Sequence, residues 1–138
     1  MKAIFVCTHG NAAKELIQSA EMICGMQENT SSVSFEVGES ADNLQAKIIA
    51  EVEKLDRTEG ILFLTDLKGG TPFNVLVQLL GNYSQTELIT GVNIPLLLEV
   101  FLGRESLPLT ELAKQAVETG RVGIYQYEAP LEEIEEDF

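Results

Sequence analysis

The chain contains a single histidine, His9, which stands at the end of an apolar run, Lys2 to Thr8 (KAIFVCT), immediately before Gly10. An imidazole placed there can serve as a nucleophile if a second group fixes its tautomer. Asp66 is the matching candidate. It follows another apolar run, Gly60 to Thr65 (GILFLT), and opens the segment Asp66-Leu67-Lys68-Gly69-Gly70-Thr71-Pro72. A carboxylate accepting from one ring nitrogen leaves the lone pair of the other directed outward. Gly69 and Gly70 let the backbone approach a ligand closely, and Thr71 adds a hydroxyl at a predicted helix start, where N–H groups favour an anion. Nucleophile, orienting carboxylate and phosphate-ready loop together suit transient phosphorylation of His9, because phosphoryl transfer depends mostly on positioning and charge stabilisation. Taken singly each has an ordinary reading: a hydrogen-bonded strand-end histidine, a turn aspartate, a glycine turn before a helix.

Other chemistries lack their residues. The loop is neither a Walker A segment nor a G-x-G-x-x-G fingerprint, so nucleotide binding has no specific support. No G-x-S-x-G elbow is present, and Ser19 and Ser40 fall within or at the start of predicted helices, which argues against a serine hydrolase. Cys7 lies inside the first apolar run and Cys24 on the apolar side of a predicted helix, so both are expected as buried, reduced thiols. One histidine and two scattered thiols do not make a zinc site, and the chemistry at His9 requires neither metal nor cofactor.

His9 and Asp66 lie far apart in the sequence, so the fold must bring them together. Lys2 to Thr8 reads as a strand buried on both faces, and Ala12, Ala13, Leu16, Ile17, Ala20 and Ile23 then recur at helical spacing up to Gly25. Val33, Phe35 and Val37 alternate with polar residues, as in a strand with a wetter face at a sheet edge. Ser40 can cap a helix over Ala41 to Leu55, whose stripe is Ala41, Leu44, Ile48, Val52 and Leu55. Gly60 to Thr65 is the most apolar strand, with Thr71 as N-cap and Pro72 as N1 of a helix reaching about Leu80. A strand over Thr86 to Thr90, a loop Gly91 to Asn93 and a helix opening near Pro95 follow. The remaining pattern predicts a helix from Pro108 to Thr119, ended by Gly120, and a last strand over Val122 to Tyr127.

This alternation predicts an α/β fold: a doubly wound, mainly parallel sheet with helices on both faces. Ligands of such folds bind beyond the carboxyl ends of the strands, which selects the loops Thr8 to Asn11, Asp66 to Thr71 and Gly91 to Asn93. The first and third strands are normally near neighbours, so Asp66 can reach His9.

Composition sets the outer bounds. With 138 residues, 45% of them hydrophobic, the chain forms one domain, taken as residues 1–127, followed by a solvated acidic tail, residues 128–138. Nine basic against 22 acidic residues give a formal charge of −13, which repels a phosphate backbone and disfavours nucleic acid as a partner. The tail holds Glu128, Glu132, Glu133, Glu135, Glu136 and Asp137 and no base. No apolar run approaches the roughly 20 residues that cross a bilayer, and the start is too short for a signal peptide, so a cytoplasmic location is expected.

Thr8-His9-Gly10, Thr65-Asp66-Leu67-Lys68-Gly69-Gly70-Thr71-Pro72-Phe73-Asn74 and Gly91-Val92-Asn93-Ile94-Pro95, each following a predicted strand, resemble the enzyme IIA component of the mannose/fructose/sorbose family of sugar phosphotransferase systems. The resemblance covers about residues 1–127. It implies a phosphotransferase that takes a phosphoryl group on the Nε2 of His9 from the histidine-containing phosphocarrier protein HPr. The group then passes to enzyme IIB, and membrane components IIC and IID are served indirectly. It further implies that Asp66 orients His9, that Gly69, Gly70 and Thr71 contact the phosphate, and that Thr8, Gly10 and Asn93 line the site. A homodimer is implied too, its last strand exchanged between protomers and antiparallel to the rest. Asn11 and Lys68 depart from the aromatic residues common at those places in the family, and the chain reads as a free-standing IIA. Two alternatives stand beside this reading: the phosphodonor subunit of a phosphoenolpyruvate-dependent dihydroxyacetone kinase, and a regulatory binding module that is never phosphorylated.

Overall fold

A computed structural model describes residues 1–131. Four strands, β1 (Ala3–His9), β2 (Thr30–Phe35), β3 (Ile61–Thr65) and β4 (Thr86–Thr90), all run parallel in the order β2-β1-β3-β4. The crossovers are α1 (Ala12–Cys24), α2 (Ala41–Val52) and α3 (Thr71–Leu79), with α4 (Ile94–Gly103) and α5 (Leu109–Val122) after the last strand. Residues 3–8 of β1 and all of β3 are buried, as central strands covered on both faces must be.

Period-two alternation sorts the strand residues onto two cores. Ile4, Val6, Leu62, Leu64 and Ile89 pack with α1, α4 and α5 through Ile17, Leu97, Val100 and Leu112. Ala3, Phe5, Cys7, Ile61 and Phe63 pack on the other face with α2 and α3 through Leu44, Ile48, Val75 and Leu76. Phe5 and Phe63, paired in register, meet edge to face at 5.8 Å. The sheet is therefore doubly wound, as the alternation predicts.

Two expectations about helix ends are corrected. Thr71 does not cap α3: Gly70 holds the extended N-cap conformation, Thr71 is the first helical residue and Pro72 the second. Gly120 does not end the last helix, because its missing side chain lets α5 lie close to α4; a Cβ there would come within 3.2 Å of Leu96 Cδ1. The segment Val122–Tyr127 forms no strand within the single chain, since α5 takes Val122 and the residues after it pair with no strand among the described residues. They leave Ile124, Tyr125 and Tyr127 exposed instead. Cys7 is buried as expected, but Cys24, the last residue of α1, is only partly so. Of the acidic tail, residues 132–138 lie outside the described part.

Candidate functional site

The chain leaves β1 for β2 on one side and returns to β3 on the other, so the carboxyl ends of β1 and β3 flank the point where strand order reverses. The register pairs Cys7 with Thr65, which places His9 just beyond the ladder on one strand and Asp66 just beyond it on the other. His9 Nδ1 donates to Asp66 Oδ2 at 2.9 Å. The His9 backbone N–H donates to the same oxygen at 3.1 Å. With Nδ1 thus protonated, Nε2 keeps its lone pair, and the imidazole is 46% exposed, open to a second molecule.

The loops around this pair are built by glycines and hydroxyls. Gly10 adopts φ +61 so that β1 can turn into α1, and its N–H donates to the Phe35 carbonyl at 2.9 Å. Thr8 is buried, and its hydroxyl accepts from the Ala13 N–H at 2.7 Å, holding the start of α1 against the strand end. Gly69 adopts φ +82, and its carbonyl accepts from the Asn74 side chain. Gly70 lies against the ring itself: a Cβ there would stand 2.9 Å from His9 Cε1 and 3.5 Å from Nε2. The first turn of α3, with the Thr71 and Phe73 N–H groups unengaged among the described residues, therefore opens beside the free ring nitrogen.

Asn93 is placed by different contacts. Its Oδ1 accepts from the Leu96 N–H at 2.9 Å, capping α4, and its Nδ2 donates to the Gly120 carbonyl at 3.0 Å. It fastens α4 to α5, and both ends of its amide are engaged in doing so. The loop before it is tied to the site, for the N–H groups of Gly91 and Val92 both donate to the carbonyl of Thr65, the residue before Asp66.

One neighbour of the ring escaped the sequence reading. Phe35, the register partner of His9 at the end of β2, sets its ring 5.7 Å from the imidazole at an interplanar angle of 75°. The alternation of Val33 and Phe35 marked it as a strand residue, but only the β1–β2 register shows what it faces. Among the described residues no group of three His, Cys, Asp or Glu side chains could hold a metal ion, and no helix is long and apolar enough to cross a membrane. A cleft of about 580 Å³ lined by Asp56, Arg57, Tyr83 and Gln85 opens at the amino ends of β3 and β4, the opposite pole from His9.

Comparison with known proteins converges on one group. A family model described as "PTS system fructose IIA component" matches residues 3–117. The mannose-specific EIIAB component of the phosphotransferase system (PTS) of Escherichia coli K12 is 45% identical over 132 residues, covering 94% of this chain and 41% of the relative. The chain thus spans about two-fifths of the length of that relative. The PTS fructose-specific EIIA component of Bacillus subtilis is 34% identical, with 81% of this chain and 77% of the relative covered. Among solved structures, the mannose/sorbose-specific IIA subunit from Enterococcus faecalis superposes with a TM-score of 0.85 at 28% identity, over 95% of this chain and 98% of that one.

Proposed function

The chain belongs to the mannose-type IIA family of the sugar phosphotransferase system, and on that premise we propose that it is a phosphocarrier in carbohydrate uptake, phosphorylated on His9. The observation that carries the proposal is the bond between His9 Nδ1 and Asp66 Oδ2, which commits the ring to one tautomer and leaves Nε2 as the nucleophile.

The transfer exchanges one P–N bond for another. The Nε2 lone pair of His9 attacks the phosphorus of a phosphohistidine on HPr, that P–N bond breaks, and the donor imidazole leaves with the electron pair. His9 gains a positive ring charge, and the Asp66 carboxylate against Nδ1–H stabilises it. The phosphoryl oxygens fall beside Gly69, Gly70 and Thr71, where the first turn of α3 supplies N–H donors and the positive end of a helix. The same step in reverse geometry hands the group to a histidine of enzyme IIB. Thr8 and Gly10 shape the turn that presents the ring, while Asn93 holds the α4 and α5 frame behind it. The partners are proteins, as the half-exposed ring at a strand end allows, and the sugar meets other components. The cytoplasm is the compartment that supplies such a donor. The exposed segment after α5, with Ile124, Tyr125 and Tyr127, supports a homodimer in which it adds to the partner's β4 edge.

Incubation with phosphoenolpyruvate, enzyme I and HPr tests this. The chain should gain one acid-labile, alkali-stable phosphoryl group, and His9→Ala should gain none. A chain that remains unlabelled is a binding module instead, and a labelled chain that passes its group to a dihydroxyacetone kinase subunit but not to IIB belongs to that system.

A further inference from the structure

We propose that Phe35 is a positioning residue for the phosphoryl-accepting imidazole, acting as the wall that fixes the plane of the His9 ring; the proposal rests on the reading of His9 as the phosphorylated residue. A single hydrogen bond to Asp66 fixes the tautomer and draws one ring atom to the carboxylate, but a hydrogen bond tolerates about 30° of bending, so χ1 and χ2 keep some freedom to tilt the ring. In-line attack needs the Nε2 lone pair held along one direction, so a second restraint is required. The structure supplies it from two sides. Gly70 lies beside Cε1, where a Cβ would stand only 2.9 Å away, and Phe35 stands across the ring at 5.7 Å and 75°, the edge-to-face arrangement that aromatic pairs prefer.

Phe35 is itself well placed to resist. It is partly buried and packs against the α2 and α3 core, its strand is in register with β1 through six residue pairs, and its carbonyl accepts from the Gly10 N–H one residue past His9. Backbone and side chain of one residue thus hold both the turn after His9 and the ring of His9. Asp66 determines which nitrogen attacks, and Phe35 with Gly70 determines in which direction.

The test uses the full chain with Phe35→Leu, which keeps apolar volume but removes the ring, and Phe35→Tyr, which restores the ring. With phosphorylated HPr as donor, Phe35→Leu should lower the saturating rate of phosphoryl acceptance about tenfold while KM stays within about twofold, and Phe35→Tyr should recover the rate. NMR relaxation of the His9 Cε1–H bond gives a readout that a merely structural role does not move. The order parameter should be near 0.85 in the unaltered, unphosphorylated chain and fall below about 0.6 in Phe35→Leu. A wild-type rate in Phe35→Leu, or a His9 ring already mobile in the unaltered chain, overturns the proposal. The second result does so even if the leucine variant fails to fold. If the unaltered chain accepts no phosphoryl group, the phosphocarrier reading is what fails, and the ring measurement alone supports or overturns the role of Phe35.

Discussion

Asp66 gives His9 only one of its two oxygens. Oδ2 accepts both from the ring and from the backbone N–H, while Oδ1 is buried without a partner among the described residues. An asparagine can set its carbonyl oxygen where Oδ2 lies and keep both bonds, but it then buries an NH₂ group in place of Oδ1 and loses the charge. Asp66→Asn should therefore slow phosphoryl acceptance by about 10- to 100-fold in rapid-quench kinetics, and should also lower stability by about 1–3 kcal/mol in urea unfolding. Gly70→Ala separates the two effects. The backbone at Gly70 has φ −74, which alanine adopts freely, so the new methyl crowds the His9 ring and leaves the backbone unstrained. Stability should stay within about 1 kcal/mol of the parent while acceptance falls at least tenfold. His9 and Asp66 were legible in the sequence because each is a polar residue ending a strongly apolar strand. The contacts of Gly70 and Phe35 with the ring were not, because they depend on strand register and ring orientation, which no local pattern carries.

The elements are held in place by a few residues at their ends, and these were the hardest to read. Arg104, which follows α4, is 1% exposed, yet none of its partners is a carboxylate. Its guanidinium donates to the Lys2 carbonyl from Nε and Nη2, to the Asn29 carbonyl from Nη2, and to Thr30 Oγ1 and Gln27 Oε1 from Nη1. It clasps the amino ends of β1 and β2 to α4, and burial holds its pKa below the ordinary arginine value. Arg104→Met should cost about 3 kcal/mol in urea unfolding by stranding those oxygens, and Arg104→Lys should not recover it, since an ammonium lacks the planar fork. Nothing in the sequence around Arg104 marks it as buried. Ser40 was legible as a cap and its hydroxyl does accept from the Asn43 N–H, because the cap signal is local. Asn93, expected to line the site, joins α4 to α5, a role visible only once Gly120 lies against it. The strand-like residues after α5 had the right composition for a strand, but a strand exists only where an edge pairs with it.

Over the whole molecule, the sheet has the His9–Asp66 pair at its carboxyl pole and the Arg104 clasp at its amino pole. Doubly wound topology was legible because strand and helix periods alternate, and the reversal of strand order then follows from right-handed crossovers. Cys7 ties the site to the stability of the fold. Burial, and after it the nearby Asp66 carboxylate, push its thiol from 9.0 up to about 12. The folded chain holds this proton more tightly than the unfolded chain, so the associated stability is complete below pH 9 and is lost as pH climbs toward 12. Across that window the stability of the parent should fall more steeply than that of Cys7→Ala, by up to about 1.4 kcal/mol per pH unit in urea unfolding. The phosphocarrier reading itself is tested most directly on the chain labelled with ¹⁵N at histidine and charged from phosphoenolpyruvate through enzyme I and HPr. The geometry predicts one ³¹P coupling, to Nε2 of His9, with Nδ1 still carrying its proton toward Asp66. Phosphorus on Nδ1, on any other residue, or on none contradicts it.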